Sequence, residues 1–184
     1  MTDKHRRFLG PVVEMRKLHD SAEQRIVHSA EMLDRKSLAS VGDTTGERLT
    51  ALLTETKAHT PEELAANVAR IGELLGRFAL YVPARFTDDP AEQAKYWAVR
   101  SGIFPAVGGS RPAGTTCLSE DVAFHIEDLP RATAELQALI ARHGYDACIY
   151  GHALEGNYHF IINQSFSPPA EVCLLYTSPS PRDR

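Results

Sequence analysis

The stretch that decides the reading is Ala147-Cys-Ile-Tyr-Gly-His-Ala-Leu-Glu-Gly-Asn-Tyr-His-Phe-Ile-Ile-Asn163. It divides into an apolar strand, a polar turn bounded by glycine, and a second strand. His152 closes the first strand and His159 lies just inside the second, with Glu155, Gly156 and Asn157 between them. Side chains alternate along a strand, so His159, Ile161 and Asn163 share one face, and Tyr158, Phe160 and Ile162 the other. The second face is wholly apolar or aromatic and belongs against helices, which turns His159 toward the open face. A tight connection then sets His152 beside the start of the second strand. Two imidazoles at that reach can share a divalent metal, or can hold and deprotonate a substrate hydroxyl. A metal needs at least one more ligand, and Glu155 is the local candidate. The same pair also reads as two ordinary half-buried hairpin histidines, a role histidine often fills.

Outward from the hairpin, the chain supports one domain. Its 184 residues are enough for a real core. A hydrophobic share of 43% and a charged share of 24% place it among globular chains, not disordered ones. The net charge of −4 gives no electrostatic case for nucleic acid or an acidic membrane surface. No apolar run approaches a transmembrane segment. The basic start, Met1-Thr-Asp-Lys-His-Arg-Arg7, is followed by no apolar signal region, so a cytoplasmic location is expected. Cys117, Cys148 and Cys173 are odd in number and widely spaced, which argues against a disulfide framework or a Cys-x-x-Cys metal site.

The remaining elements follow from periodicity and caps. Residues 11–29 carry a weak helical pattern interrupted at its start by Gly10-Pro11. Residues 31–38 form a short apolar patch running into charge, and 41–48 read as loop. Residues 49–57 read as a strand. Thr60, Pro61 and Glu63 announce a helix with the stripe Leu64, Val68, Ile71, Leu75 and Phe78. Leu80-Tyr-Val82 suggests a short strand or extended link. Asp89, Pro90 and Glu92 repeat the cap for a helix carrying Tyr96, Trp97 and Arg100, which Ser101-Gly102 is expected to stop. Residues 104–116, rich in glycine and proline, then read as a long loop. Residues 117–126 alternate as a strand. A last helix runs from Asp128 with the stripe Leu129, Leu136, Leu139 and Ile140, closed by His143-Gly144. This order implies an α+β fold, an antiparallel or mixed sheet with helices packed on one face. The segment 1–28 is read as an uncertain helical extension, and 29–172 as the domain.

Other side chains leave two readings open. Arg100 is either a last-turn arginine favouring the helix dipole or a planar fork for a substrate carboxylate. Arg111 has the same two readings. Cys117 and Cys148 lie on apolar strands and read as packing residues. His125 could share the face of His159, or be a plain exposed strand residue. No Gly-x-Gly-x-x-Gly, phosphate loop or nucleophile elbow is present.

The end of the chain changes character. Cys173-Leu-Leu-Tyr-Thr-Ser-Pro-Ser-Pro-Arg-Asp-Arg184 matches, through Asp183, one reading frame of a common transposase sequencing adapter. It is read as a scar, with a natural Ser/Pro-rich tail as the alternative. A scar would leave the domain incomplete at its C-terminus, near Val172.

Three stretches together resemble a known family. They are Tyr96-Trp-Ala-Val-Arg-Ser-Gly-Ile-Phe-Pro-Ala-Val-Gly-Gly109, Glu120-Asp-Val-Ala-Phe-His-Ile-Glu-Asp-Leu-Pro130 and Tyr150-Gly-His-Ala-Leu-Glu-Gly-Asn-Tyr-His-Phe160. The chain is similar to the C-terminal (cap) domain of FAD-linked oxidases. These include D-lactate dehydrogenases, the glycolate oxidase D-subunit and D-2-hydroxyglutarate dehydrogenases. The branch it most resembles is the large bacterial enzymes that fuse this module to an iron–sulfur region. The resemblance covers residues 31–172.

It implies a ferredoxin-like cap closing over FAD that a missing N-terminal domain of the same polypeptide holds, acting on a small 2-hydroxy acid. It implies His152 and His159 as metal ligands and catalytic groups, with zinc the expected metal. Arg100 would bind the substrate carboxylate, and Asn157 would lie near flavin and substrate. An iron–sulfur cluster could sit elsewhere in the full-length protein, which could also associate peripherally with a membrane. The family's usual turn reads Gly-Asp-Gly-Asn; here Leu154-Glu-Gly-Asn157 puts the role of that acid in doubt. The family's third ligand comes from a downstream Glu-His-Gly segment that this sequence lacks. The competing reading is a non-catalytic ferredoxin-like binding or regulatory module. Geometry separates the two: converging imidazoles on an open face, with Arg100 on that side, favour the oxidase.

Overall fold

A computed structural model describes residues 3–21, 26–42 and 50–167. Residues 43–48 of the loop read over 41–48 and the tail from Cys173 lie outside these residues. The strands are β1 (Ser29–Leu33), β2 (Ala51–Glu55), β3 (Thr115–Ala123), β4 (Cys148–His152) and β5 (Asn157–Ser165). They form one sheet in the order β2-β1-β4-β5-β3, with every neighbouring pair antiparallel. The helices are α1 (Asp3–Ser21), α2 (Arg35–Ser40), α3 (Pro61–Leu75), α4 (Pro90–Gly109) and α5 (Leu129–Arg142). The α+β class expected from the sequence is therefore the class observed. β3, α5 and β4 make a split β-α-β unit, with β5 filling the gap between its two strands.

Of the two readings of residues 80–82 the extended link holds: they pair with no strand among the described residues, and Leu80, Tyr81 and Val82 are exposed. The fifth strand is instead β1, read from the sequence only as an apolar patch. Its central place hides its period: residues 30 to 33 are all buried, because both faces of the strand are covered.

The helices are divided between the faces, not gathered on one. Met32, Ile149, Tyr158 and Ile162 pack with Leu9 and Val12 of α1 and with Leu129 and Ile140 of α5. On the opposite face Leu33, Cys148, Tyr150 and Ile161 pack with Leu38 of α2 and Ile103 of α4. The apolar residues on the histidine face demand this second cover. They also explain why α4 does not stop at Ser101-Gly102 but runs through Pro105 to Gly109. Ile103, one residue past the expected stop, is completely buried. Asp89 caps α4 by accepting from the Ala91 N–H at 2.9 Å, and Thr60 caps α3 by accepting from the Glu63 N–H at 3.2 Å.

The β4–β5 connection is one turn of 3-10 helix, Ala153–Glu155, followed by Gly156 at φ +72°. A Cβ on Gly156 would lie 2.2 Å from the Phe124 carbonyl oxygen. That carbonyl belongs to the segment after β3, whose Phe124 N–H donates to Gly156 O at 2.9 Å. The turn therefore needs both the left-handed backbone and the missing side chain. Gly144, which follows α5 at φ +73°, has nothing within 4 Å of its Cβ position. Gly144→Ala should cost about 1–2 kcal/mol, the left-handed penalty alone, and Gly156→Ala distinctly more, as read from urea unfolding midpoints. Equal losses would show that the Phe124 contact does not constrain the turn.

Candidate functional site

Strand register puts the site together. Glu31 of β1 lies opposite His152 of β4, Tyr150 of β4 opposite His159 of β5, and His159 opposite Asp121 of β3. Facing residues in an antiparallel pair share a face, so these five side chains project from the same side of the sheet. It is the side that carries Ile161 and Cys148, and α4 covers only its apolar end. Arg100 reaches from α4 to the edge of that cover. The guanidinium stacks over the Tyr150 ring, 4.6 Å from its centroid, and Nε donates to Glu31 Oε2 at 2.7 Å. Glu31 Oε1 meets His152 Nδ1. The His152 and His159 rings stand edge to face with centroids 5.4 Å apart.

Exposure rises across the cluster. The side chains of Glu31 and Arg100 are 4% and 17% exposed, against 26% for His159 and 51% for His152. The carboxylate is thus a foundation, and the imidazoles form the accessible rim. His159 Nδ1 lies 3.4 Å from Asp121 Oδ1, and Asn157 Nδ2 donates to that same oxygen at 2.6 Å. Burial lowers the His159 pKa, with Asp121 pulling the other way, so the ring is held toward its neutral form. Burial raises the Tyr150 pKa, and Arg100 opposes it.

The structure brings together Arg100, His152, His159 and Asn157. It does not bring Glu155. That side chain points to α1, where it pairs with Arg16 at 3.3 Å, and it is 58% exposed. The 3-10 turn directs it away from the histidine face, so it is not the local third ligand. Arg111 is spent on its own loop, donating to Gly108 O and to Thr115 O. His125 is exposed beyond the end of β3 and lines an open groove with α5, away from His159. Cys117 and Cys148 carry free thiols within the apolar packing, and burial pushes the Cys148 thiol up to about 11.

Sequence reasoning missed Glu31, Tyr150 and Asp121 as members of the site. The available signal for Glu31 was a single acid inside the apolar run Ser29-Ala-Glu-Met-Leu33. Such a residue must find a partner or unfold the strand.

The two imidazoles each meet a carboxylate through Nδ1, which leaves the Nε2 atoms for a ligand. That donor pattern suits a divalent metal as far as it goes. Among the described residues, however, no group of three or more His, Cys, Asp or Glu side chains is arranged to hold one. The donors present fit two coordination positions. No described helix is long and apolar enough to cross a membrane.

The model of one family, described as FAD linked oxidases, C-terminal domain, matches residues 15–177. No curated protein matches the chain.

Removal of one partner from a buried ion pair leaves the other uncompensated. Arg100→Met should therefore destabilise the fold by roughly 3 kcal/mol, and Glu31→Gln in the same background should recover part of the loss. Urea unfolding of the parent, the two single variants and the double variant reads the coupling. Strictly additive effects would contradict it.

Proposed function

The chain belongs to the C-terminal domain family of FAD-linked oxidases, and from that membership we propose that it is the substrate-binding cap of a flavin-dependent D-2-hydroxyacid dehydrogenase. The proposed substrate is of the D-lactate or D-2-hydroxyglutarate type. The observation that supports this reading is the convergence of Arg100, His152 and His159 at one open end of a sheet face. A small binding module would have no need of a buried carboxylate holding an arginine beside two imidazoles.

In this reading Arg100 binds the substrate carboxylate. Nε is occupied by Glu31, and the terminal guanidinium nitrogens offer the paired donors that a carboxylate matches. A carboxylate so held places the neighbouring hydroxyl toward the histidine rim. His159, kept toward its neutral form, can accept the hydroxyl proton at Nε2. In a metal-loaded site His152 and His159 would instead use those Nε2 atoms to hold a divalent metal, proposed as zinc, which would supply Lewis acidity to that hydroxyl, and the proton would then pass to a base other than His159; the third ligand would come from outside the described residues. FAD, held chiefly by a separate domain of the same polypeptide, supplies the two-electron acceptor. Asn157, on the histidine face, orients Asp121 and through it His159. An iron–sulfur centre, where present, belongs to another part of such a polypeptide. The segment from Cys173 is proposed as adapter-derived, although the family match ends inside it, at residue 177.

The isolated chain should bind a 2-hydroxy acid through Arg100, with a dissociation constant of roughly millimolar strength. In an NMR titration D-lactate should shift the Arg100 Nε–H resonance, 1,2-propanediol should not, and Arg100→Gln should abolish the response. Equal shifts from the neutral diol would contradict a carboxylate fork. Supplied with FAD and a dye acceptor, the isolated chain should not turn over D-lactate or D-2-hydroxyglutarate. Measurable turnover would overturn the separate flavin domain.

A further inference from the structure

We propose that Glu31 is the positioning residue of this site: it fixes the tautomer of His152 and the orientation of Arg100 together, through the two oxygens of one carboxylate. The inference rests on the reading of Arg100 and the histidines as a substrate site and adds what sets their geometry.

An ionised carboxylate only accepts hydrogen bonds, so the His152 nitrogen that meets Oε1 must be an Nδ1–H. A neutral His152 then carries its lone pair on Nε2, at the exposed side of the ring. That is the form an imidazole needs to act as a ligand or a base. Free imidazole side chains have no such constraint, and this side chain is half exposed, so its tautomer would otherwise be open. The second oxygen takes the Nε–H of Arg100 at 2.7 Å. The Arg100 side chain makes no other hydrogen bond among the described residues. Its guanidinium plane is fixed by that one bond and by the Tyr150 ring beneath it. The terminal nitrogens are thereby aimed, not merely available.

Glu31 can do this because strand pairing and burial set its place. It lies on the strand between β2 and β4, with pairing on both edges, and its side chain is 4% exposed. Its charge is compensated by Arg100, so the carboxylate remains an acceptor toward His152. Asp121 faces His159 in the same sense, but at 3.4 Å and 61% exposure it offers a looser hold. Of the two carboxylates that face an imidazole, Glu31 is thus the enclosed one and Asp121 the exposed one. A structural ion pair alone would anchor α4 and leave the tautomer of His152 unaffected.

The test uses the intact chain and long-range proton–nitrogen NMR of its histidines. In the parent protein His152 should show a protonated Nδ1 and an unprotonated Nε2. A parent His152 in the Nε2–H form overturns the proposal, whatever any variant does. Glu31→Gln has one acceptor oxygen in place of two. It should lose either the protected Arg100 Nε–H signal or the fixed His152 tautomer, while Glu31→Leu should lose both. Glu31→Gln that folds and keeps both signals overturns the proposal. Titration with Zn²⁺ alone should be weakened about 10–100-fold in Glu31→Leu. If the parent chain binds no Zn²⁺ yet its His152 tautomer responds to Glu31 as stated, the positioning role stands and the metal part of the proposed function fails.

Discussion

On β1, a strand enclosed by neighbours on both edges, the Glu31 carboxylate sits almost wholly out of water and divides its oxygens between Arg100 of α4 and His152 of β4. An unpaired charge at that depth would cost several kcal/mol. The sequence can keep an acid there only if α4 lies where its arginine reaches. α4 has little else to hold it: Ile103 is its one fully buried residue, while Tyr96, Trp97 and Phe104 remain exposed. The position of the helix is therefore set by two adjoining contacts, one apolar through Ile103 and one ionic through Arg100. The ionic contact is also the one that faces the candidate site, so stability and geometry of the site are one problem in this fold.

The histidine face is best understood as two unequal ends. Leu33, Cys148 and Ile161 at one end are sealed by Leu38 and Ile103. His152, His159 and Asp121 at the other end have no such cover and stay accessible to different degrees. The boundary between them is Tyr150, under the Arg100 guanidinium. This arrangement gives a low-dielectric wall behind a polar rim, where charge-assisted bonds are stronger than in open water. The opposite face does a different job: α1 and α5 bury it, and Tyr158 at its centre is fully enclosed.

Much of this was legible in the sequence, for identifiable reasons. The hairpin around Gly156, the caps at Thr60 and Asp89, and the alternation over β3 are local signals, and the structure realises them nearly as read. The convergence of His152 and His159 followed from strand period and turn length alone. What was illegible depends on distant neighbours. β1 carries no alternation because both of its faces are buried, and residues 80–82 look like a strand only until one asks what would pair with them. α4 overrides Ser-Gly and Pro105 because Ile103 has a cluster to enter. Glu31 could not be assigned to the site from residues adjacent to it, since both partners are more than 60 positions away. Glu155, chosen for its nearness in sequence, went to Arg16 instead, because a 3-10 turn rotates its side chain off the histidine face.

The central claim is that Arg100 and the two histidines form one substrate site, oriented by Glu31. A crystal structure of the chain soaked with a D-2-hydroxy acid tests it most directly. The ligand carboxylate should lie on the terminal nitrogens of Arg100 and its hydroxyl toward Nε2 of His152 or His159, with Glu31 unmoved. A ligand that binds elsewhere, or that displaces Arg100 from Glu31 in order to bind, would contradict it.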